Sequence, residues 1–207
     1  MRKIIIQFFV ALAVLAIIGT QAQATNLIVN GGFEEPNLAS GTWNAFLSIP
    51  GWTTTVGHSI EVQDNVAGAP YEGGQHVELD SYGNSGMEQI ISTVEDQWYD
   101  LNFFFSPRPF QPEATNGISV FWDGNVLDNI TALGTNQTIW TEHSYLVQAS
   151  SDYASLEFRA TGISDYLGGY LDAVSLEAVP EPSTLLLLTF GLIGLFIYKK
   201  RMGQITR

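Results

Sequence analysis

From Asn26 to Ala178 the chain has no sustained 3.6-residue periodicity. Short apolar or alternating runs recur instead, divided by Gly, Asn, Asp and Pro. The pattern predicts strands at Leu27–Val29, Ser59–Val62, His76–Leu79, Met87–Ile91, Trp98–Phe105, Ile118–Trp122, Ile139–Val147, Ala154–Arg159 and Gly169–Leu176. Trp98–Phe105 carries Leu101, Phe103, Phe104 and Phe105, the density of a strand near the middle of a sandwich. Asp123-Gly124-Asn125 sits between two apolar runs and reads as a tight hairpin turn. Strands this short and this regularly punctuated predict an all-β, two-sheet antiparallel sandwich. No repeat or linker divides the region, so residues 25–178 form one domain.

Both ends depart from that pattern. Arg2 and Lys3 precede an apolar run from Ile4 to Gly19, and Ala22-Gln23-Ala24 supplies a small-x-small cleavage pattern. Residues 1–24 therefore read as a signal peptide for signal peptidase, with an uncleaved anchor as the alternative. A second apolar run, Leu185 to Tyr198, ends in Lys199-Lys200-Arg201. As a helix of about 1.5 Å per residue it is short for a hydrocarbon core of roughly 30 Å. Snorkelling lysines and local thinning make up the difference, so residues 185–198 are expected to span the membrane. The basic tail, 199–207, stays cytoplasmic and the preceding domain lies outside. Pro180 and Pro182 remove two backbone donors and disfavour helix before them, which makes residues 179–184 an extended spacer.

Charge narrows the function. Of 21 acidic residues, 20 lie between Thr25 and Val179, where Arg108 and Arg159 are the only lysine or arginine residues. Such a surface repels phosphate backbones and excludes nucleic-acid binding through a basic patch. The absence of cysteine removes disulfides, thiolate metal sites and cysteine nucleophiles.

Val179-Pro180-Glu181-Pro182-Ser183-Thr184, followed by an apolar segment and a basic cluster, resembles the PEP-CTERM sorting signal. The resemblance implies export by a Gram-negative bacterium that also makes extracellular polysaccharide. It further implies an inner-membrane anchored form with a periplasmic ectodomain, cut by an exosortase near Pro180, Glu181 and Pro182. The product would reside at the cell surface or in an extracellular biofilm matrix. The ectodomain is similar to galactose-binding-like jelly rolls. Asn26-Leu27-Ile28-Val29-Asn30-Gly31-Gly32-Phe33-Glu34 looks like their opening strand, and Pro50-Gly51-Trp52 like their GW element. Gly86-Met87-Glu88-Gln89 resembles their G-x-x-Q strand, Tyr99-Asp100-Leu101-Asn102-Phe103 their Y-x-L-x-F strand, and Asp172-Ala173-Val174-Ser175-Leu176 their closing strand.

Relatives of this kind include many carbohydrate-binding modules, and some hold a structural calcium ion between the first and last strands. Carried to this chain, that implies Glu34 and Asp172 as ligands, Glu72 as a third side chain, and backbone oxygens near Gly32 and Gln75. Calcium takes six to eight oxygens, which suits acid-rich loops without thiols. One Asp stands here where many relatives have two, which implies a weaker ion. The alternative is that Glu34 and Asp172 are turn or surface residues, or are neutralised by Arg159.

Sugar binding needs flat aromatic faces and a few planar polar groups. Trp43, Tyr71, Tyr82, Phe110 and Tyr166 lie in loop-like stretches and are the platform candidates; Arg108, between two prolines, is the candidate charged contact. Trp98 and Trp122 are expected in the core, and Trp52 as a core anchor beside a turn. Catalysis has no support: twenty acids give adjacent pairs by chance, the three histidines lack metal spacing, and there is no nucleophile elbow. His76 and Glu78 are expected as a half-exposed pair on one strand face. The sequence thus reads as a non-catalytic, exported envelope or matrix protein whose jelly roll binds extracellular polysaccharide, stabilised by calcium. The alternatives are a structural or adhesive matrix protein without a sugar pocket and, more remotely, a glycoside-active enzyme.

Overall fold

The computed structural model describes residues 25–180 and 190–195. Residues 1–24, expected to be a signal peptide, Glu181 and Pro182, and the apolar run other than residues 190–195 lie outside the described residues. Residues 190–195 are helical, and no helix among the described residues is long and apolar enough to cross a membrane.

Among the described residues twelve strands follow one another: β1 (Thr42–Phe46), β2 (Ser48–Ile49), β3 (Trp52–Val56), β4 (Ile60–Asp64), β5 (His76–Glu78), β6 (Gly86–Ser92), β7 (Trp98–Ser106), β8 (Gly117–Trp122), β9 (Asn125–Ile130), β10 (Thr141–Gln148), β11 (Tyr153–Thr161) and β12 (Tyr170–Ala178). They form two six-stranded antiparallel sheets, in the order β1-β4-β5-β12-β7-β10 and β2-β3-β6-β11-β8-β9. This is the two-sheet jelly-roll sandwich expected. The inner faces carry the alternating apolar residues of each strand, with Ile60, Val62, Val77, Leu101, Phe103 and Leu171 from one sheet and Trp52, Met87, Val120, Leu156 and Phe158 from the other. Trp52 is the anchor the sequence suggested: it lies 5.8 Å from Phe33 and 6.0 Å from Phe158, and its indole N–H donates to Asn30 O.

The β8–β9 hairpin turns at Asp123 and Gly124, with φ of 49° and 73°, the two positive values a type I′ turn demands. Leu27–Val29 is not a strand. It is tied instead by single contacts: Leu27 N to Leu176 O, Val174 N to Gly31 O, and the Gln89 amide to both Val29 N and Val29 O. A side chain thus takes the place of a neighbouring strand. Three strands in the Thr-rich stretch 42–56 escaped the sequence pattern, because β1 and β2 are short sheet-edge strands with little apolar alternation. Trp98 is corrected too: it is 44% exposed, because the period of β7 turns Tyr99 and Leu101 inward and Trp98 outward.

Candidate functional site

The outward face of the first sheet is polar yet buried. Strand register sets Trp43 opposite Gln63, Glu61 opposite Glu78, Gln63 opposite His76, and Tyr170 opposite Glu78. Period two therefore places Trp43, Glu61, Gln63, His76, Glu78, Tyr170 and Asp172 on one face. The loops that follow β4 and β7 fold over it, so that His76, Glu78, Tyr170 and Asp172 are completely buried. This corrects the expectation of a half-exposed His76 and Glu78. His76 packs against Tyr170, 4.3 Å between centroids, and edge-on to Trp140, and neither ring nitrogen has a partner. Burial, with the positive Arg108 adding to it, holds its imidazole down at about 3, so it is neutral.

At one end the face opens into a cleft of about 290 Å³ lined by Trp43, Tyr82, Tyr166, Glu61, Gln63, Ser81, Val66 and Arg108. Four of the six sequence-selected binding residues, Trp43, Tyr82, Arg108 and Tyr166, thus converge although they come from four separate stretches of chain. Trp43 and Tyr82 meet at 6.4 Å with a 60° tilt. Both rings, and that of Tyr166, remain about half exposed or more. Trp43 is not in a loop but on edge strand β1, a firmer mount for a stacking face.

Beneath the rings lies a network. Gln63 Nε2 donates to Glu61 Oε1 at 2.8 Å and to Glu78 Oε2 at 2.6 Å, Arg108 pairs with Glu78, and Gly168 N donates to Glu78 Oε1 at 2.6 Å. Burial pushes the Glu61 and Glu78 carboxyls up, and Arg108 pulls both back. Gln63 Oε1 is buried in this wall without a hydrogen-bond partner, and Ser81 Oγ is set against the Glu61 carboxyl. Sequence reasoning missed Glu61, Gln63 and Ser81. The alternation Glu61-Val62-Gln63 was the available signal, but it looks the same for an ordinary solvated face.

Tyr71 and Phe110 lie elsewhere. Tyr71 stacks on Phe104 at 3.5 Å, and Phe110 lines a separate hollow with Ala67, Gly68, Pro109, Asn136 and Gln137. The residues selected for calcium do gather around the loop 71–75. Glu34 Oε1 accepts from Gly74 N and Gln75 N, and Asp172 Oδ2 accepts from Tyr71 N and Glu72 N. Glu72 Oε1 lies over Gly32, where a Cβ would stand 2.8 Å from it. The Gln75 side chain donates to Phe33 O and Pro36 O. Among the described residues no group of three or more His, Asp or Glu side chains is placed to hold a metal ion. Asp172 is buried without a cationic partner, which pushes its carboxyl up to about 7 against the pull of three backbone N–H donors. A cation is what this carboxylate lacks. Arg159 does not supply it, being paired with Glu157 and set over the Phe121 ring on the other sheet.

Residues 178–201 match the model of the PEP-CTERM protein-sorting motif. Over 157 residues the chain is 32% identical to a "Multifunctional-autoprocessing repeats-in-toxin" of Vibrio vulnificus, covering 74% of this chain and 3% of that protein. The corresponding protein of Vibrio cholerae serotype O1 is 30% identical over 158 residues, covering 75% and 3%. The chain thus spans about 3% of the length of the curated relatives it matches. Solved structures similar in chain trace include a family 35 carbohydrate binding module from Clostridium thermocellum, at 15% identity and a TM-score of 0.42 over 60% of this chain and 90% of that one. Another is TmCBM61 in complex with beta-1,4-galactotriose, at 15% identity and a TM-score of 0.46 over 75% and 99%.

Proposed function

We propose that this is an exported, exosortase-processed, non-catalytic domain that binds extracellular glycan in the Trp43–Tyr82–Tyr166 cleft. The PEP-CTERM motif at residues 178–201 implies export and membrane anchoring before processing, which supports a role among extracellular polymers. The observation that carries the binding reading is the cleft: exposed aromatic rings stand around a floor of buried polar groups, one of them, Gln63 Oε1, without a partner. An unpartnered buried polar atom costs about 1–3 kcal/mol, and a ligand hydroxyl in the cleft recovers it. Rings give area and tolerance; the polar floor gives orientation. Glu78 is fully buried and bonded to Arg108, Gln63 and Gly168, which leaves it no room to serve as an acid or base on a substrate.

Calcium belongs to the same proposal. Glu34, Glu72 and Asp172 would hold it, and it would supply the positive charge that buried Asp172 lacks while tying the first segment to β12.

The test is titration of the full-length protein, in a detergent without a sugar headgroup, against a panel of extracellular polysaccharides. A saturable heat, weakened about tenfold or more by Trp43→Ala at unchanged melting temperature, supports the binding reading. No saturable binding to any polysaccharide overturns it and leaves an anchored structural domain.

A further inference from the structure

The chemistry of the cleft selects among sugars, an argument that rests on the glycan-binding reading. Arg108 is the sole cation among the lining residues, and its guanidinium is already bonded to Glu78 and set 5.8 Å from the Tyr170 ring centroid. An anionic sugar would have to share Arg108 with a carboxylate that has no other counter-charge, and would meet Glu61 in the same wall. Facing Arg108 stand Glu61 in the wall, Glu78 beneath it, and Asp80 behind, the last fully buried and bonded to Ser164 Oγ and Asp165 N. The group in the wall that still seeks a partner is Gln63 Oε1, an acceptor. Glu61 is 7% exposed, spends Oε1 on the Gln63 amide and has no ion-pair partner among the described residues. The cleft therefore offers acceptors and a carboxyl without an ion pair, and its one cation is already paired with Glu78.

We propose that the preferred ligand is a hexosamine unit bearing a free amino group, its ammonium set against Glu61 and Gln63 Oε1 while Trp43 and Tyr82 flank the ring. An ammonium supplies up to three donors to a wall made of acceptors, and it brings the positive charge that Glu61 lacks. The same choice follows at long range, because twenty acids against two cations in the domain draw a polyamine glycan in and hold a polyuronate off.

Calorimetry of the full-length protein in the same detergent, at a pH that keeps the amine charged, would compare three oligomers: glucosamine, N-acetylglucosamine and galacturonate. The expected result is a preference of roughly tenfold or more for the glucosamine oligomer over the N-acetylated one, and no heat with galacturonate. Glu61→Gln removes the preference and retains weak binding of the N-acetylated oligomer. This variant changes one acid in twenty, so a preference that survives it is general attraction to an acidic surface and overturns the proposal. Equal or tighter binding of the N-acetylated or galacturonate oligomer, lost in Trp43→Ala, overturns the amine preference and leaves the glycan-binding reading intact. Silence with all three oligomers and with the polysaccharide panel overturns both.

Discussion

Asp172 sits fully buried on β12 with three backbone N–H donors and no cation. Burial raises its carboxyl from 3.8 to about 7, so between those values the folded state holds a proton that the unfolded chain has released. The sign follows: stability falls as pH rises through that window, and the loss is complete above it. The expected size is about 4 kcal/mol at most, from a shift worth about 1.4 kcal/mol per unit. Thermal melting between pH 4 and pH 8 reads this directly, and Asp172→Asn should flatten the profile. If calcium binds where proposed, it restores the loss at high pH in the native chain and not in Asp172→Asn. A pH profile unchanged by the substitution would assign the instability to other acids. Neither the burial nor the missing partner was legible in Leu171-Asp172-Ala173, since a strand tells which face a residue takes and not whether a loop covers that face. Asp172 and Glu34 were singled out through family likeness. Glu61 and Gln63 were not, because alternating polar residues on a strand are ordinary.

Among the elements, the first segment and β12 show how irregular chain is held to a regular sheet. Leu27 N and Gly31 O bond to Leu176 O and Val174 N, while Asn26 Oδ1 accepts from Ile28 N and Leu176 N. The fit is close: a Cβ at Gly31 would stand 2.0 Å from Val174 O. Gly31→Ala must push the segment off β12, and a loss of about 2 kcal/mol or more is expected in denaturant melting. A loss below 0.5 kcal/mol would mean that the segment contributes little to stability. Sequence pattern read this stretch as a strand because Leu27-Ile28-Val29 is apolar and two of its residues, Ile28 and Val29, are β-branched, yet Gln89 fills the place a partner strand would take. The hairpin turn at Asp123-Gly124 was legible because its backbone conformation is a local property. The β1 strand was not, since it exists only through pairing with β4 at a sheet edge.

For the whole molecule, the two functional features sit at different levels. The sorting motif is a linear address at residues 178–201 and needs no folded site. Replacing Pro180, Glu181 and Pro182 with alanine should leave the chain unprocessed in the membrane fraction, read by blotting of fractionated cells. Processing at the native rate would sink the exosortase assignment. The cleft, by contrast, belongs to the sandwich, and the same substitution should leave its glycan binding unchanged.

By itself the sequence determined whatever depends on neighbours along the chain. That covers the two-residue period of the strands, the tight turn at Gly124, the acidic balance of the domain and the address at its end. Only the tertiary structure decided which aromatic residues meet. Trp43, Tyr82, Arg108 and Tyr166 are brought together by antiparallel register between distant strands and by the loops that cross one sheet face. Tyr71 and Phe110, indistinguishable from them in local sequence, are carried elsewhere. The physical reason is that register and loop covering are set by burial across the whole sandwich, and no local stretch of residues contains that information.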